Sequence, residues 1–262
     1  MNKAVLVLLI AGLSACSAPE KKEPIVVIDG GPENITVNIS AIPDAVPRYE
    51  PWSPSVNPES YIVLGETYHV QPSNKGYRKQ GIASWYGTKF HQKNTATGEV
   101  YDMWAMTAAH KTLPIPSYVR VTNLDNQRSV IVRVNDRGPF HAHRIIDLSF
   151  AAAAKLGLAK AGTGFVDVIA LQPGDNEMGD DVAQTHKIYY QVGAFSTREN
   201  ALLLQQKMSA VELSESRIVT DESAGSKFFK VQLGPISSVT EADHISAKLK
   251  QLGIEQGHYI SE

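Results

Sequence analysis

Apolar and polar positions change rhythm several times along the chain, and each change marks a segment. Ala4 to Leu13 is an unbroken run of ten small or apolar residues behind Lys3. Such a run is too short to span a bilayer and suits the core of a signal peptide. From residue 16 to about Gly76 the apolar positions are scattered, and nine of the fourteen prolines occur there. That density blocks helices and central strands and predicts an extended, semi-rigid tether with little core of its own. Between Tyr77 and Gln172 the rhythm becomes period two. Val119 and Val121, then Val130, Val132 and Val134, alternate with polar neighbours. The pattern predicts strands over Gly81 to Tyr86, Met106 to His110, Tyr118 to Leu124, Ser129 to Asn135 and Phe165 to Leu171. One helix interrupts them, capped by Ser149, favoured by Ala151 to Ala154 and ended by Gly157. Many short strands with a single helix predict a small closed barrel. Residues 173–186 carry Asp175, Glu177, Asp180 and Asp181 among Pro and Gly, the composition of a linker.

The last segment, residues 187–262, repeats itself. Tyr190-Gln191-Val192-Gly193-Ala194-Phe195-Ser196 aligns without gaps on Val231-Gln232-Leu233-Gly234-Pro235-Ile236-Ser237. Each copy is followed by helical spacing: Ala201, Leu204 and Met208 in the first, Ala242, Ile245, Leu249 and Leu252 in the second. A further strand in each half gives a βαββαβ domain, a four-stranded antiparallel sheet with both helices on one face. Ile188, Tyr190, Val192 and Phe229, Val231, Leu233 should face those helices. Tyr189, Gln191, Lys230 and Gln232 should then form an open face, where an aromatic ring and amides suit sugars. An ordinary solvated face fits the same pattern equally well.

Composition narrows the functions. A net charge of -2 and a pI near 6.5 argue against a nucleic-acid binder. One cysteine excludes an intrachain disulfide and a cysteine-built zinc site. That cysteine ends Leu13-Ser14-Ala15-Cys16, which resembles the bacterial lipobox, whose thiol is acylated after cleavage. Several acyl chains on Cys16 would anchor stably where one would not. Ser17 after the cysteine resembles outer-membrane sorting. A signal peptide over residues 1–15 and a lipidated tether over residues 16–76 are therefore expected.

No GxSxG, Walker loop, GxGxxG or HExxH occurs, and no cofactor is expected. Acid–base chemistry remains, and its candidates cluster in Gly98-Glu99-Val100-Tyr101-Asp102, Thr107-Ala108-Ala109-His110 and Asn135-Asp136-Arg137-Gly138-Pro139-Phe140. Asp136 directly follows the strand of alternating valines, where a carboxylate is held yet open to a ligand. Glycosidic cleavage needs such an acid and a second polar group to manage charge. A turn cap or an ion pair with Arg137 for Asp136, and a buried hydrogen-bonded role for His110, are the alternatives. His141 and His143 would share one face as metal ligands, although histidines at surfaces are far commoner than metal sites.

The segment from Gly81 to Leu158 resembles the rare lipoprotein A family, whose fold is a double-psi β-barrel. The residues that carry this are Ala83-Ser84-Trp85-Tyr86-Gly87, Thr97-Gly98-Glu99, Thr107 to Pro114, Val121-Thr122-Asn123-Leu124, Asn135 to Phe140 and Arg144-Ile145-Ile146-Asp147-Leu148-Ser149. The C-terminal repeat resembles a SPOR domain. The resemblance implies a lytic transglycosylase that cleaves the β-1,4 bond between N-acetylmuramic acid and N-acetylglucosamine without water, leaving 1,6-anhydro ends. It implies Asp136 as general acid/base with Glu99 and His110 as partners, one of which polarises the attacking hydroxyl or orients the sugar. Peptide-free glycan strands and divisome proteins are the implied partners. The implied place is the outer membrane facing the periplasm, enriched at the division septum. The competing classes are a non-catalytic, expansin-like wall binder and a purely structural lipoprotein.

Overall fold

The structure, a computed structural model, describes residues 29–262 apart from Thr36, Ser53, Ala142, 176–186, 223–225 and 255–256. Cys16 and most of the acidic linker lie outside the described residues. The segment read as a tether begins with irregular backbone and then forms a hairpin, β1 (Ser60–Val63) and β2 (Glu66–His69). Leu64 and Gly65 turn it with φ of 53° and 85°, the twist that a two-residue hairpin needs. No Asn-Gly or Asp-Gly announces that turn, so the sequence pattern missed it.

This segment is laid against the barrel, which differs from the expected spacer. The Asp29 carboxylate accepts from the backbone N–H of Gly87 and Lys89. Asp44 pairs with Lys155 and accepts from Ile131 N at 2.9 Å. Trp52 donates to the Pro116 carbonyl at 2.9 Å, and Asn57 exchanges two 2.7 Å bonds with Ile115. Proline-rich backbone lacks ladder bonds of its own, so side chains fasten it to the surface at intervals.

Six strands close the barrel: β3 (Arg78–Tyr86), β4 (Thr107–His110), β5 (Ser117–Asn123), β6 (Ser129–Asp136), β7 (Arg144–Ser149) and β8 (Gly164–Leu171). Their order round the barrel is β3-β7-β4-β6-β5-β8. The pairs β3–β7 and β4–β6 run parallel and the others antiparallel. Those two parallel pairs within a closed six-stranded barrel are consistent with the double-psi fold. The five expected strands are present. β7 was not foreseen, because Ile145-Ile146-Asp147-Leu148 lacks clean alternation and runs straight into a helix. Inside, Val119, Val121, Val130, Val132, Val134, Ile146 and Leu148 are sealed from solvent. Each contributes about 1.5–3 kcal/mol by leaving water. The helix α1 (Phe150–Lys155) starts where expected, with the Ser149 hydroxyl accepting from Ala152 N, and ends before Gly157 at φ 78°.

The C-terminal domain is the predicted repeat: β9 (Ile188–Phe195), α2 (Arg198–Ser209), β10 (Ser216–Asp221), β11 (Phe228–Ile236), α3 (Val239–Gln251) and β12 (His258–Ser261). Its sheet has the order β10-β11-β9-β12, antiparallel throughout. Thr197 and Ser238 cap the two helices, and Glu241 returns its carboxylate to Ser237 N to complete the start of α3. Ile188, Tyr190, Val192, Val231 and Leu233 pack with Ala201, Met208, Ala242, Ile245 and Leu249, as the periodicity required. The domains meet along an apolar seam in which Phe165 of β8 lies 5.3 Å from Tyr259 of β12, and Gln80 donates to Ser261 at 2.7 Å.

Truncating Leu148, which is wholly buried between β3 and β4, should cost about 2–5 kcal/mol. A denaturant titration of Leu148→Ala beside the wild type checks this.

Candidate active site

The site is created by one irregularity. In β6 the inward residues are Val130, Val132 and Val134, and strict alternation would send Asp136 inward after them. A bulge intervenes: Ala108 pairs with Val134, but the next residue, Ala109, pairs with Asp136. The extra residue, Asn135, turns Asp136 to the face opposite the core. Ala109 also pairs with Asp147 of β7, and Asp147 pairs with Ser84 of β3. Cross-strand partners share a face. One row therefore crosses four strands: Ser84, Asp147, Ala109, Asp136. The methyl of Ala109 is the low point between two carboxylates, whose Cα atoms stand about 10 Å apart by strand spacing. Tyr86, two residues beyond Ser84 on the same face, stacks on Tyr101 with ring centres 4.1 Å apart and forms an aromatic floor with Ala109.

Each carboxylate has a defined chemistry. Asp136 is raised above the ordinary carboxyl range by burial, against two backbone N–H bonds of 2.8 Å from Ala96 and Arg137. Both bonds reach Oδ1; among the described residues Oδ2 accepts none. A carboxyl held by one oxygen and free at the other can deliver a proton. Asp147 is also raised, chiefly by burial, while the Ser84 hydroxyl donates to it. It appeared in the sequence only as part of a family motif. An acidic residue between Ile146 and Leu148 in an unrecognised strand was the signal for it.

Glu99 sits on the turn over Thr95 to Glu99, whose Ala96 N–H supports Asp136. Arg133 grips its two oxygens at 2.7 and 2.9 Å, and Asn135 donates to it at 2.8 Å. Those bonds lower its proton affinity, Arg133 most of all, so Glu99 stays a carboxylate. The other side of Arg133 is held by Glu50 of the N-terminal segment at 2.8 and 2.7 Å. The Arg133 bonds pull Glu50 down to about 2. Sequence reasoning missed Glu50, which lies in a stretch with no periodicity.

His110 is placed differently from Asp136 and Glu99. It follows Ala109 on β4, so it points to the opposite face, and it is only 3% exposed. Its Nδ1 accepts from Thr112 N and Leu113 N at 3.1 and 2.9 Å, which leaves Nε2–H to donate to the Tyr77 hydroxyl at 2.8 Å. The bonds shape a turn whose His110 and Leu113 carbonyls accept from Arg137, the neighbour of Asp136. His110 thus reaches Asp136 indirectly, through Arg137. His141 is exposed, and His143 packs edge-on against Tyr190.

On the C-terminal sheet, Tyr189, Gln191, Lys230 and Gln232 do lie on the face without helices, and Gln191 pairs with Gln232. That face is not open, however. The Arg217 guanidinium of β10 lies 3.6 Å above the Tyr189 ring, donates to Gln232 at 2.9 Å and meets Glu262 at 2.6 Å. Tyr189 and Gln232 are buried as a result, and Lys230 pairs with Asp221. Phe228, two residues before Lys230 and therefore on the same face, is 42% exposed and was also missed. It stands one residue before the periodic apolar set that begins at Phe229, outside the pattern that located the strand.

Burial drives the His110 proton affinity down from 6.5 to about 3. The unfolded chain therefore binds this proton near pH 6.5, whereas the folded protein does so only near pH 3. Between those values the unfolded state holds more protons, so the contribution to stability is present above pH 6.5 and lost as pH falls through the window. Imidazole NMR should show His110 neutral, with Nε2 protonated, at pH 5. A titration midpoint near 6.5 would contradict the buried arrangement.

Comparison with known proteins agrees with this architecture. Residues 78–168 match the family model described as lytic transglycolase, and residues 185–260 match that of the SPOR domain. The chain is 39% identical to the endolytic peptidoglycan transglycosylase RlpA of Pseudomonas aeruginosa, over 84% of this chain and 81% of that protein. It is 43% identical to the RlpA of Neisseria meningitidis, over 80% of this chain and 87% of the relative. With the RlpA of Vibrio cholerae it shares 50% identity, over 64% of this chain and 63% of the other. By fold, domain order and sequence, this chain belongs to the RlpA family of endolytic peptidoglycan transglycosylases.

Proposed function

We propose that the groove over Ala109 cleaves the β-1,4 bond between N-acetylmuramic acid and N-acetylglucosamine in peptide-free glycan, leaving 1,6-anhydro ends. The observation that carries this is the row Asp147–Ala109–Asp136, two half-buried carboxyls across a gap above an aromatic floor. Asp136 is the general acid. Burial keeps its proton on to higher pH than an ordinary carboxyl, and free Oδ2 hands it to the glycosidic oxygen. As the bond breaks, positive charge develops at the anomeric carbon, and the flanking carboxyl of Asp147 favours it. Asp136, now a carboxylate, takes the proton from the muramyl 6-hydroxyl, whose oxygen closes on the anomeric carbon. The proton that left Asp136 is thereby returned and no water is consumed. Glu99 and His110 are positioning residues. Glu99 fixes the turn that supports Asp136, and His110 fixes the turn that receives Arg137.

The same reading places the chain at the outer membrane, facing the periplasm, through acylated Cys16, with enrichment at the division septum. Divisome proteins are its expected neighbours there. The C-terminal sheet would bind glycan through Gln191, Lys230 and the exposed Phe228, with Tyr189 and Gln232 acting beneath Arg217. Labelled palmitate should enter the wild type and not Cys16→Ser; equal labelling would remove the anchor.

Asp136→Asn should fold, retain glycan binding and lose roughly 10²–10⁴-fold in product release. Mass spectrometry of the wild-type products should show ends lighter by one water than hydrolytic ends. Full activity in a folded Asp136→Asn would remove Asp136 from the mechanism, and binding without any wild-type product would favour the expansin-like reading. Activity should fall as pH rises through the Asp136 proton affinity. In Glu99→Gln that alkaline limb should move upward, since a loosened turn weakens the Ala96 N–H bond that lowers it. A fall in activity with an unmoved limb would leave Glu99 a role in folding alone.

A further inference from the structure

Between the barrel and α3 lies a cleft of about 830 Å³. Its charge is unbalanced. Lys79, Lys111, Arg144 and Lys250 line it, against Glu66 and Asp243. Among the described residues none of those four cations pairs with a carboxylate; Lys111 reaches only the His141 carbonyl, at 3.1 Å. Elsewhere Arg133 is matched by Glu50 and Glu99, and Lys155 by Asp44. Burial and the nearby Lys79 both push the Lys111 proton affinity down, so these charges also repel one another. A protein gains nothing in stability from gathering like charges at a domain joint; an anion from outside relieves the repulsion.

The walls add a second signature. Tyr68 and Phe140, both part-exposed, line the same space, and rings of this kind offer flat apolar faces to sugars. The cleft also adjoins the groove. Arg144, His141 and Lys111 are close enough to Asp147 to act on its carboxyl, and they face the cleft. Cationic surface thus runs from the Asp147 end of the groove to Lys250 on the C-terminal domain.

We propose that this cleft is a subsite for acidic glycan and takes the lactyl carboxylates of N-acetylmuramic acid on the strand being cleaved. The proposal rests on the glycan-cleaving reading above and deepens it. When a stem peptide is attached, the lactyl group is an amide and carries no charge. When the peptide is gone, each disaccharide bears one free carboxylate. A stem peptide moves the nearest carboxylate away from the lactyl position, so a cleft of unpaired cations set against that position favours the peptide-free strand by where its charge sits.

The test uses the full chain carrying Asp136→Asn, so that binding is read without turnover. Peptide-free strands are compared with the same strands after their carboxyls are converted to methylamides. The free-carboxylate strands should bind about tenfold more tightly at low salt, as expected for a few exposed ion pairs, and the preference should shrink as salt is added. Adding Lys79→Gln, Lys111→Gln and Lys250→Gln should erase the preference while methylamide strands bind as before. A preference that survives the three substitutions overturns the proposal. So does a loss of binding to both strands together, or a lowered melting temperature with the preference intact, either of which assigns the cations to the fold. The parent reading fails separately, if wild-type protein gives no anhydro ends.

Discussion

Everything at the groove depends on a single extra residue in β6. The barrel needs Val130, Val132 and Val134 inside, and that demand fixes the phase of the strand up to its last turn. Without the bulge at Asn135, Asp136 would continue inward and its carboxylate would be buried among aliphatic side chains, where an unpaired charge is very costly. The bulge shifts the phase at the one point where the strand leaves the core. It pairs Asp136 with Ala109 and so sets it across from Asp147. Core packing and the acid therefore coexist on one strand because the alternation is broken between them.

A second constraint acts from outside the barrel. Arg133 is half-buried in a closed set of acceptors, two from Glu50 and two from Glu99. A guanidinium so surrounded is fixed in orientation, since its planar donors match both carboxylates at once. Tyr118 also donates to Glu50. The N-terminal segment thus closes one flank of the turn that bears Glu99, and the barrel with its groove is not a self-contained unit within the chain.

The sequence was legible wherever a side chain's environment depended on local period. The valine alternation located β5 and β6, the alanines and Gly157 bounded α1, and the gapless repeat predicted both halves of the C-terminal domain. It failed where long-range pairing decided the outcome. β7 has a mixed pattern because Ile145 and Ile146 pack on both sides of the strand. Asp147 became a site residue only through its pairing with Ala109. The family resemblance made His110 a partner of Asp136, yet period two sends it to the opposite face. Arg217 has no counterpart in the repeated motif, so nothing in the pattern announced that it would cover Tyr189. The N-terminal segment has no periodicity at all, and its hold on the barrel is made by isolated side chains such as Asp44, Glu50 and Asn57.

That hold shortens the leash. A free spacer over residues 16–76 would let a membrane-anchored barrel wander up to about 200 Å from its attachment point at full extension. Among the described residues the segment is already docked at Asp29, whose carboxylate grips the Gly87 and Lys89 backbone. The chain between Cys16 and Asp29 can span at most roughly 45 Å whatever its conformation. If Cys16 carried the expected anchor, the Asp29 contact would set an upper limit on how deep into the wall the groove could reach.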